Sequence, residues 1–401
     1  MLTLKNIDHA NQSLYKTYTI TIDESKSDPS QMVSYWADVD IAQGSSNWDT
    51  FFWAYPVLLS NSGVEYKKLN PSNFQQDIDW NDVSSLTSWG NYEVMIAFPR
   101  MWYKASKSWD IITIQITDNP DNYADGFKYY AHTRGNFATL SSSTNASDWA
   151  SGRKDKFYLW AYKWFVSSSK LHSWYNQTPS ASATIWTFRG YAGAVGTWFW
   201  QTLAVQERLL EIYSLFKYKT TNLQSALWRW YCDASWSSYP WPKTWVNTYN
   251  QWMNYWTSSW TVPVKFLGLE HRYGGIWEWV DWLASNSNWD WAVNIPVDAT
   301  GTNIQDDWHG TGYKSIGSLS FTSGQYIKKM KWETDNLFYP QETGWSETTY
   351  YTDYARWASG ARVAFFGGEW PYASQVGAFF WALNTASSNS YASIGARLMF
   401  L

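Results

Sequence analysis

Five histidines, His9, His132, His172, His271 and His309, stand far apart and lack the paired spacing that sets two imidazoles on one helix face to hold a metal. The only cysteine, Cys232, excludes an intramolecular disulfide and a cysteine metal cluster within one chain, and reads as a small core side chain. Carboxylates that could serve glycoside hydrolysis occur at Asp306-Asp307 and at Glu278 near Asp281. Closeness in sequence does not fix the gap between carboxyl groups that such chemistry requires. The GxSxG, Walker A, dinucleotide-binding and EF-hand patterns are absent. The expectation is a protein that is not an enzyme, with no catalytic residues, no cofactor and no metal.

Chemistry suited to recognition is concentrated at the end of the chain. Gly367, Gly368, Gly377 and Gly395 permit sharp turns, and Trp370, Phe379, Trp381, Leu383 and Leu398 can anchor the backbone in a core. Between these anchors lie Pro371, Tyr372, Ser374, Gln375, Val376, Phe380, Ala382, Asn384, Thr385, Tyr391, Ala392 and Ser393, a set of mixed chemistry. Strand alternation over 379–384 puts Phe380, Ala382 and Asn384 opposite Phe379, Trp381 and Leu383, so one face holds the fold and the other meets a ligand. Tyr372, Phe380 and Tyr391 add the rigid aromatic area that binding surfaces favour.

The elements that must position these residues are short. Residues 18–22 (YTITI) read as a strand, 51–59 as an apolar stretch, and 94–99 (VMIAFP) with 111–117 (IITIQIT) as a hairpin. The Ser/Thr/Asn-rich stretch 139–151 reads as an exposed loop. A helix is predicted over 201–218, with Leu203, Leu209, Leu210, Ile212, Tyr213 and Phe216 roughly on one stripe and Gln206, Glu207, Arg208 and Glu211 mostly opposite. Such a helix lies against a sheet. Further short strands are predicted at 275–280 and near the C-terminus. The pattern predicts an α+β fold with much irregular chain, a small β-rich N-terminal attachment region over 1–90, and one domain over 91–401.

Lys plus Arg total 30 against 34 Asp plus Glu, a net charge of −4 with no long run of either sign. A phosphate backbone asks for a basic stripe, so nucleic acid is not an expected partner. No stretch reaches the apolar length that spans a bilayer, so no membrane insertion is expected. Residues 1–10 (MLTLKNIDHA) lack the basic and apolar segments of a secretory signal, which implies folding in the cytosol.

Two stretches carry a resemblance. Residues 266–281 (FLGLEHRYGGIWEWVD) contain G-I-W-E-W, and residues 157–164 read FYLWAYKW. Together with the helix between them they resemble the formylglycine-generating-enzyme branch of C-type-lectin-like folds, over roughly residues 92 to 401. That branch's enzyme uses a pair of cysteines and Cys232 has no second, so the resemblance implies the fold without the chemistry. The EPN and QPD triplets of the calcium-dependent sugar binders are absent, and Trp80-Asn81-Asp82 reads as a turn. Residues 361–401 (ARVAFFGGEWPYASQVGAFFWALNTASSNSYASIGARLMFL) hold GG-x-W, G-A-F-x-W-x-L, A-S-S-N-S and I-G-A-R-L in order. This stretch resembles the variable region of proteins diversified by retroelements.

In that family a template is copied with errors at adenines, so Asn codons become codons for many other residues. Pro371, Tyr372, Ser374, Val376, Phe380, Ala382, Thr385, Tyr391, Ala392 and Ser393 are all reachable that way, whereas Glu369 and Gln375 cannot arise from Asn codons by adenine changes alone and require a Lys-type template codon or a fixed one. The resemblance implies a receptor-binding protein of a phage tail located in the virion. It implies a homo-oligomer joined to other tail proteins through its N-terminal region, with a host-surface protein or glycan as ligand. The alternatives are a cellular diversified surface or effector protein and, from another class, a formylglycine-generating-type or glycan-hydrolysing enzyme.

Tryptophan is over-represented: 33 residues against 23 glycines. Trp48, Trp80, Trp89, Trp109, Trp260 and Trp345 sit among Ser, Asn, Asp and Thr, in surroundings that mark turns, where positive φ favours Gly. Trp53, Trp160, Trp164, Trp186, Trp228, Trp230, Trp256 and Trp260 fall where the resembling proteins carry Gly. One expectation is a source that reads UGA as glycine, with genuine tryptophan at Trp277, Trp279, Trp370 and Trp381 and with turn-located Trp side chains exposed or poorly packed. The other is an authentic Trp-rich chain.

Overall fold

The computed structural model describes residues 17–35, 53–87, 91–118, 127, 132, 154–227, 232, 253–255, 264–285, 292–296, 313–318, 324–332, 338–344 and 346–401. The loop expected at 139–151, the Asp306-Asp307 pair, His9 and His309 lie outside them, as do Trp48, Trp89, Trp228, Trp230, Trp256, Trp260 and Trp345.

Three larger antiparallel or mixed sheets dominate. The first has the order Val33–Tyr35, Thr17–Asp23, Ile111–Thr117, Trp102–Ser108. The second runs Phe199–Gln201, Leu398–Phe400, Lys156–Trp160, Tyr92–Pro99, Tyr55–Ser60, Glu65–Asn70, Asn73–Asp77. The third holds Tyr313–Ser318, Ala292–Pro296, Trp277–Ser285, Arg362–Phe366, Trp381–Thr385, Tyr354–Trp357, Gln325–Trp332 and Phe338–Gly344, with Ile394–Ala396 parallel to Trp277–Ser285.

The expected α+β class is corrected by this count: the described residues form 24 strands against five α-helices, and the protein is mostly β. The strands escaped notice because many are three to six residues long and polar on one or both faces, as in Glu65–Asn70 (EYKKLN) and Phe338–Gly344 (FYPQETG). The expected hairpin is also corrected. Ile111–Thr117 pairs with Trp102–Ser108 and Thr17–Asp23, whereas Tyr92–Pro99 lies in another sheet between Tyr55–Ser60 and Lys156–Trp160. Strands on both sides of residue 90 therefore share two sheets.

The predicted helix spans Ala204–Tyr218, and Gln201 belongs to the strand before it. Its polar residues do not face water. Glu207, Arg208 and Glu211 are all buried, and charge pairing makes this tolerable. Glu207 pairs with Arg272, Arg208 with Glu211 at 2.5 Å, and the Glu211 carboxylate accepts from the Trp381 indole at 2.9 Å. The Arg208 guanidinium stacks 3.7 Å from the Trp381 ring centroid.

The C-terminal strands lock the two largest sheets together. Ile394–Ala396 belongs to the third sheet and Leu398–Phe400 to the second, and Arg397 lies between them. Its buried guanidinium donates to both Glu278 carboxylate oxygens, at 2.9 and 2.8 Å, and to the carbonyls of Trp160 and Glu270 at 3.0 and 2.9 Å. The G-I-W-E-W alternation is realised as expected: Trp277 and Trp279 both pack on Phe365, and Glu278 points to the other side, toward Arg397.

Candidate ligand-binding surface

The terminal segment leaves the Arg362–Phe366 strand through Gly367 and Gly368, whose φ values of 90° and 87° suit only glycine at low cost. A Cβ on Gly368 would collide with the Val376 side chain, which folds back under this turn. The chain is then fastened by main-chain groups. Gly274 N–H donates to Gly367 O, Trp370 N–H to Gly275 O, and Ala373 N–H to Cys232 O, at 3.0, 3.0 and 2.8 Å. The Gln224 side chain donates to Ser374 O at 2.8 Å. The backbone is left-handed at Ala373 (φ 46°), a conformation that Asn tolerates better than Ala.

Residues 371–375 are half-buried on this mounting. Arg356, from the neighbouring Tyr354–Trp357 strand, donates to the Tyr372 hydroxyl at 3.1 Å and to Gln375 Oε1 at 2.9 Å. Ser374 Oγ bonds to the Tyr326 hydroxyl at 2.8 Å and to the Glu347 carboxylate. Below the loop, Trp277 packs against Tyr372, Phe380 and Phe365, with ring centroids 5.9, 4.4 and 4.7 Å away. Ser393 adjoins this cluster: its carbonyl accepts from Trp277 N–H at 2.8 Å, and its side chain meets the Glu369 carboxyl. Burial pushes the Glu369 carboxyl above the ordinary range, with hydrogen bonds from Ser393 and Trp277 opposing the shift.

The structure therefore divides the twelve candidate residues. Pro371, Tyr372, Ser374 and Gln375 share one loop, Ser393 lies beside it, and Tyr391 and Ala392 are exposed on the turn before the Ile394–Ala396 strand. Asn384 is half-buried at the end of its strand, and its Oδ1 has no hydrogen-bond partner among the described residues. Val376, Phe380, Ala382 and Thr385 are buried and support the surface from beneath. The expected alternation over 379–384 does not leave one face open, because Phe380 is covered by Trp277 and Tyr354 and Ala382 lies between neighbouring strands.

Sequence reasoning missed Arg356, Tyr326, Glu347, Gln224 and Asp353. No spacing signal could have found them, since their contacts with 371–379 depend on strand order. Asp353 is fully buried. Its carboxylate accepts from Phe379 N–H at 2.7 Å and from Gln224 at 2.6 Å, and desolvation pushes it up to about 7.

Of the carboxylates that could have served hydrolysis, the two among the described residues, Glu278 and Asp281, are engaged in ion pairs. Burial opposes ionisation of Glu278, but the charges of Arg397 and Lys163 outweigh it and hold the carboxyl below its ordinary value. Asp281 is gripped by Arg189 through Nε at 2.9 Å and a second guanidinium nitrogen. No group of three or more His, Cys, Asp or Glu among the described residues is placed to hold a metal ion, and none of the described helices is long and apolar enough to cross a membrane.

Comparison with protein-family models gives no match, and comparison with curated proteins gives none either.

Proposed function

We propose that the chain is a ligand-binding protein whose C-terminal surface, centred on residues 371–375 and extended by Asn384 and residues 391–393, is diversified by retroelement mutagenesis. In this reading it serves as a phage tail adhesin and the ligand is a protein or glycan on the host surface. The N-terminal region joins it to other tail proteins, and several copies act together so that weak single sites gain avidity. The carrying observation is that residues 370–374 are fastened by main-chain groups, through Gly275 O, Cys232 O and Gln224. Such bonds persist whatever side chain occupies Tyr372 or Ser374, which is the property a variable surface needs.

One further feature supports the reading. Glu369 and Gln375, which adenine exchange in Asn codons cannot produce, are held by the frame: Glu369 is buried, and Gln375 accepts from Arg356.

A nucleotide read through the gene and a few kilobases downstream tests the proposal. The expected result is a near-identical copy of the segment encoding residues 361–401, differing mainly at adenines, beside a reverse transcriptase. A complete flanking sequence with no such copy would remove the diversification. Host adsorption that survives Tyr372→Ala and Tyr391→Ala together would remove the adhesin role of this face.

A further inference from the structure

Five tryptophans hold a backbone conformation that L side chains rarely adopt: Trp53, Trp80, Trp109, Trp198 and Trp282, with φ of 45°, 68°, 55°, 74° and 67°. They are five of the sixteen non-glycine residues with positive φ among the described residues. In this region Cβ crowds the backbone carbonyl, so glycine, and less often Asn or Asp, occupies it, while a bulky residue is an outlier. Packing does not compensate for four of them. Trp53, Trp80, Trp109 and Trp198 are 52%, 66%, 93% and 40% exposed.

Local geometry identifies the residue each place wants. Ser108 pairs with Ile111, so Trp109 and Asp110 form a two-residue hairpin turn. Of these two only Trp109 has positive φ, the pattern of the turn that takes glycine at its first central position. Trp282 lies in the register shift between Val280 and Ala284, where the Trp277–Ser285 strand pairs with Arg362–Phe366. A left-handed residue at a bulge is a glycine position. Trp80 sits in a tight turn, its N–H donating to Asp77 O at 2.9 Å while Asp77 N–H donates to Asn81 O at 2.9 Å.

Other tryptophans behave differently. Trp279 and Trp381 are buried outside the left-handed set, and their indole N–H groups donate to Ala183 O at 3.3 Å and Glu211 Oε1 at 2.9 Å. Trp160 and Trp164, two of the positions expected to carry glycine, are fully buried, and Trp186, a third, is exposed on the Ile185–Gly193 helix. None of these three has positive φ.

We infer that the codons for residues 53, 80, 109, 198 and 282 are UGA, that the source of this gene reads UGA as glycine, and that the natural protein carries glycine at these five positions. UGA differs from the tryptophan codon UGG in its third base and from the glycine codon GGA in its first. A glycine tRNA altered at one anticodon base therefore decodes it. Trp279 and Trp381 are then UGG-encoded tryptophans of the core. The assignment stands on backbone geometry and does not depend on the ligand-binding reading.

The test pairs a codon read with peptide mass spectrometry of the protein from its source. UGA at the five positions, UGG at 279 and 381, and peptides carrying the mass of glycine at 80 and 109 are expected. UGG at the five positions, or tryptophan in those peptides, overturns the assignment. The geometric premise is tested separately on the purified chain. Trp80→Gly and Trp109→Gly are each expected to raise the melting temperature by on the order of a few degrees, while Trp279→Gly lowers it. A fall at both 80 and 109 shows that tryptophan belongs there.

Discussion

The guanidinium of Arg356 lies 4.1 Å from the centroid of the Tyr372 ring and donates to that residue's hydroxyl at 3.1 Å. With its other nitrogen it holds Gln375 at 2.9 Å, so one side chain outside the terminal segment braces both ends of the loop 372–375. A lysine offers a point charge in place of this fork and cannot reach both acceptors in the same geometry. Arg356→Lys is expected to cost about 1–2 kcal/mol, from one charge-assisted hydrogen bond and part of the stacking. Amide exchange should speed up locally at Gln375 and Val376, whose N–H groups close the short turn onto Tyr372 O and Ala373 O. Unchanged protection at these two amides would show that the arginine does not brace the loop.

The division of the candidate residues into exposed and supporting ones gives a second expectation. Phe380 is fully buried between Trp277 and Tyr354, and Phe380→Ala should destabilise by about 3–5 kcal/mol in urea unfolding. Tyr391 is 47% exposed, and Tyr391→Ala should stay within about 0.5 kcal/mol of the parent. If the two variants melt alike, Phe380 does not support the surface in the way its burial indicates.

What the sequence disclosed and what it hid follow from the range of the interactions involved. The helix over 204–218 was legible because its apolar residues repeat at helical spacing, and the turn at Gly367-Gly368 because glycine type alone signals positive φ. The alternation of Trp277 and Trp279 around Glu278 was legible for the same local reason. The mostly β class was not, since strands such as Tyr354–Trp357 and Ile394–Ala396 are three or four residues long and gain their definition from partners far away in the chain. The burial of Glu207, Arg208 and Glu211 was hidden too. On a helix they look like a solvated face, and only the placement of Arg272 and Trp381 beside them makes them core residues.

The buried pair of Arg397 and Glu278 ties the residue linking the Ile394–Ala396 and Leu398–Phe400 strands to the Trp277–Ser285 strand. Glu278 also faces buried Lys163 at 3.5 Å, so removing its charge leaves two desolvated cations, Arg397 and Lys163, without their shared carboxylate, which is costlier than losing Arg397 and Glu278 together. Glu278→Gln is expected to destabilise the fold by about 3–5 kcal/mol. The double variant Glu278→Gln with Arg397→Met should recover part of that loss. A double variant whose loss equals the sum of its two single losses would mean that the two residues act independently.

Asp353 sets a pH dependence whose sign can be worked out. Its folded-state carboxyl is pushed up to about 7 by burial, against an ordinary value of 3.8, although Gln224 and Phe379 N–H favour the charged form. Between these two values the unfolded chain has released the proton and the folded chain has kept it. The group's contribution to stability therefore falls as pH rises from about 4 to about 7 and is level above that. Asn cannot titrate, and Asp353→Asn keeps one acceptor for the Phe379 amide, though it exchanges the other for a donor facing Gln224. Replacement should thus lower stability at the acid end and lose less, relative to the parent, at each step toward neutrality. Urea unfolding of both proteins across that window reads the difference between them. Parallel stability curves would mean that Asp353 does not take up a proton in the folded state over this range, and that the contact beneath Phe379 is held by a carboxylate.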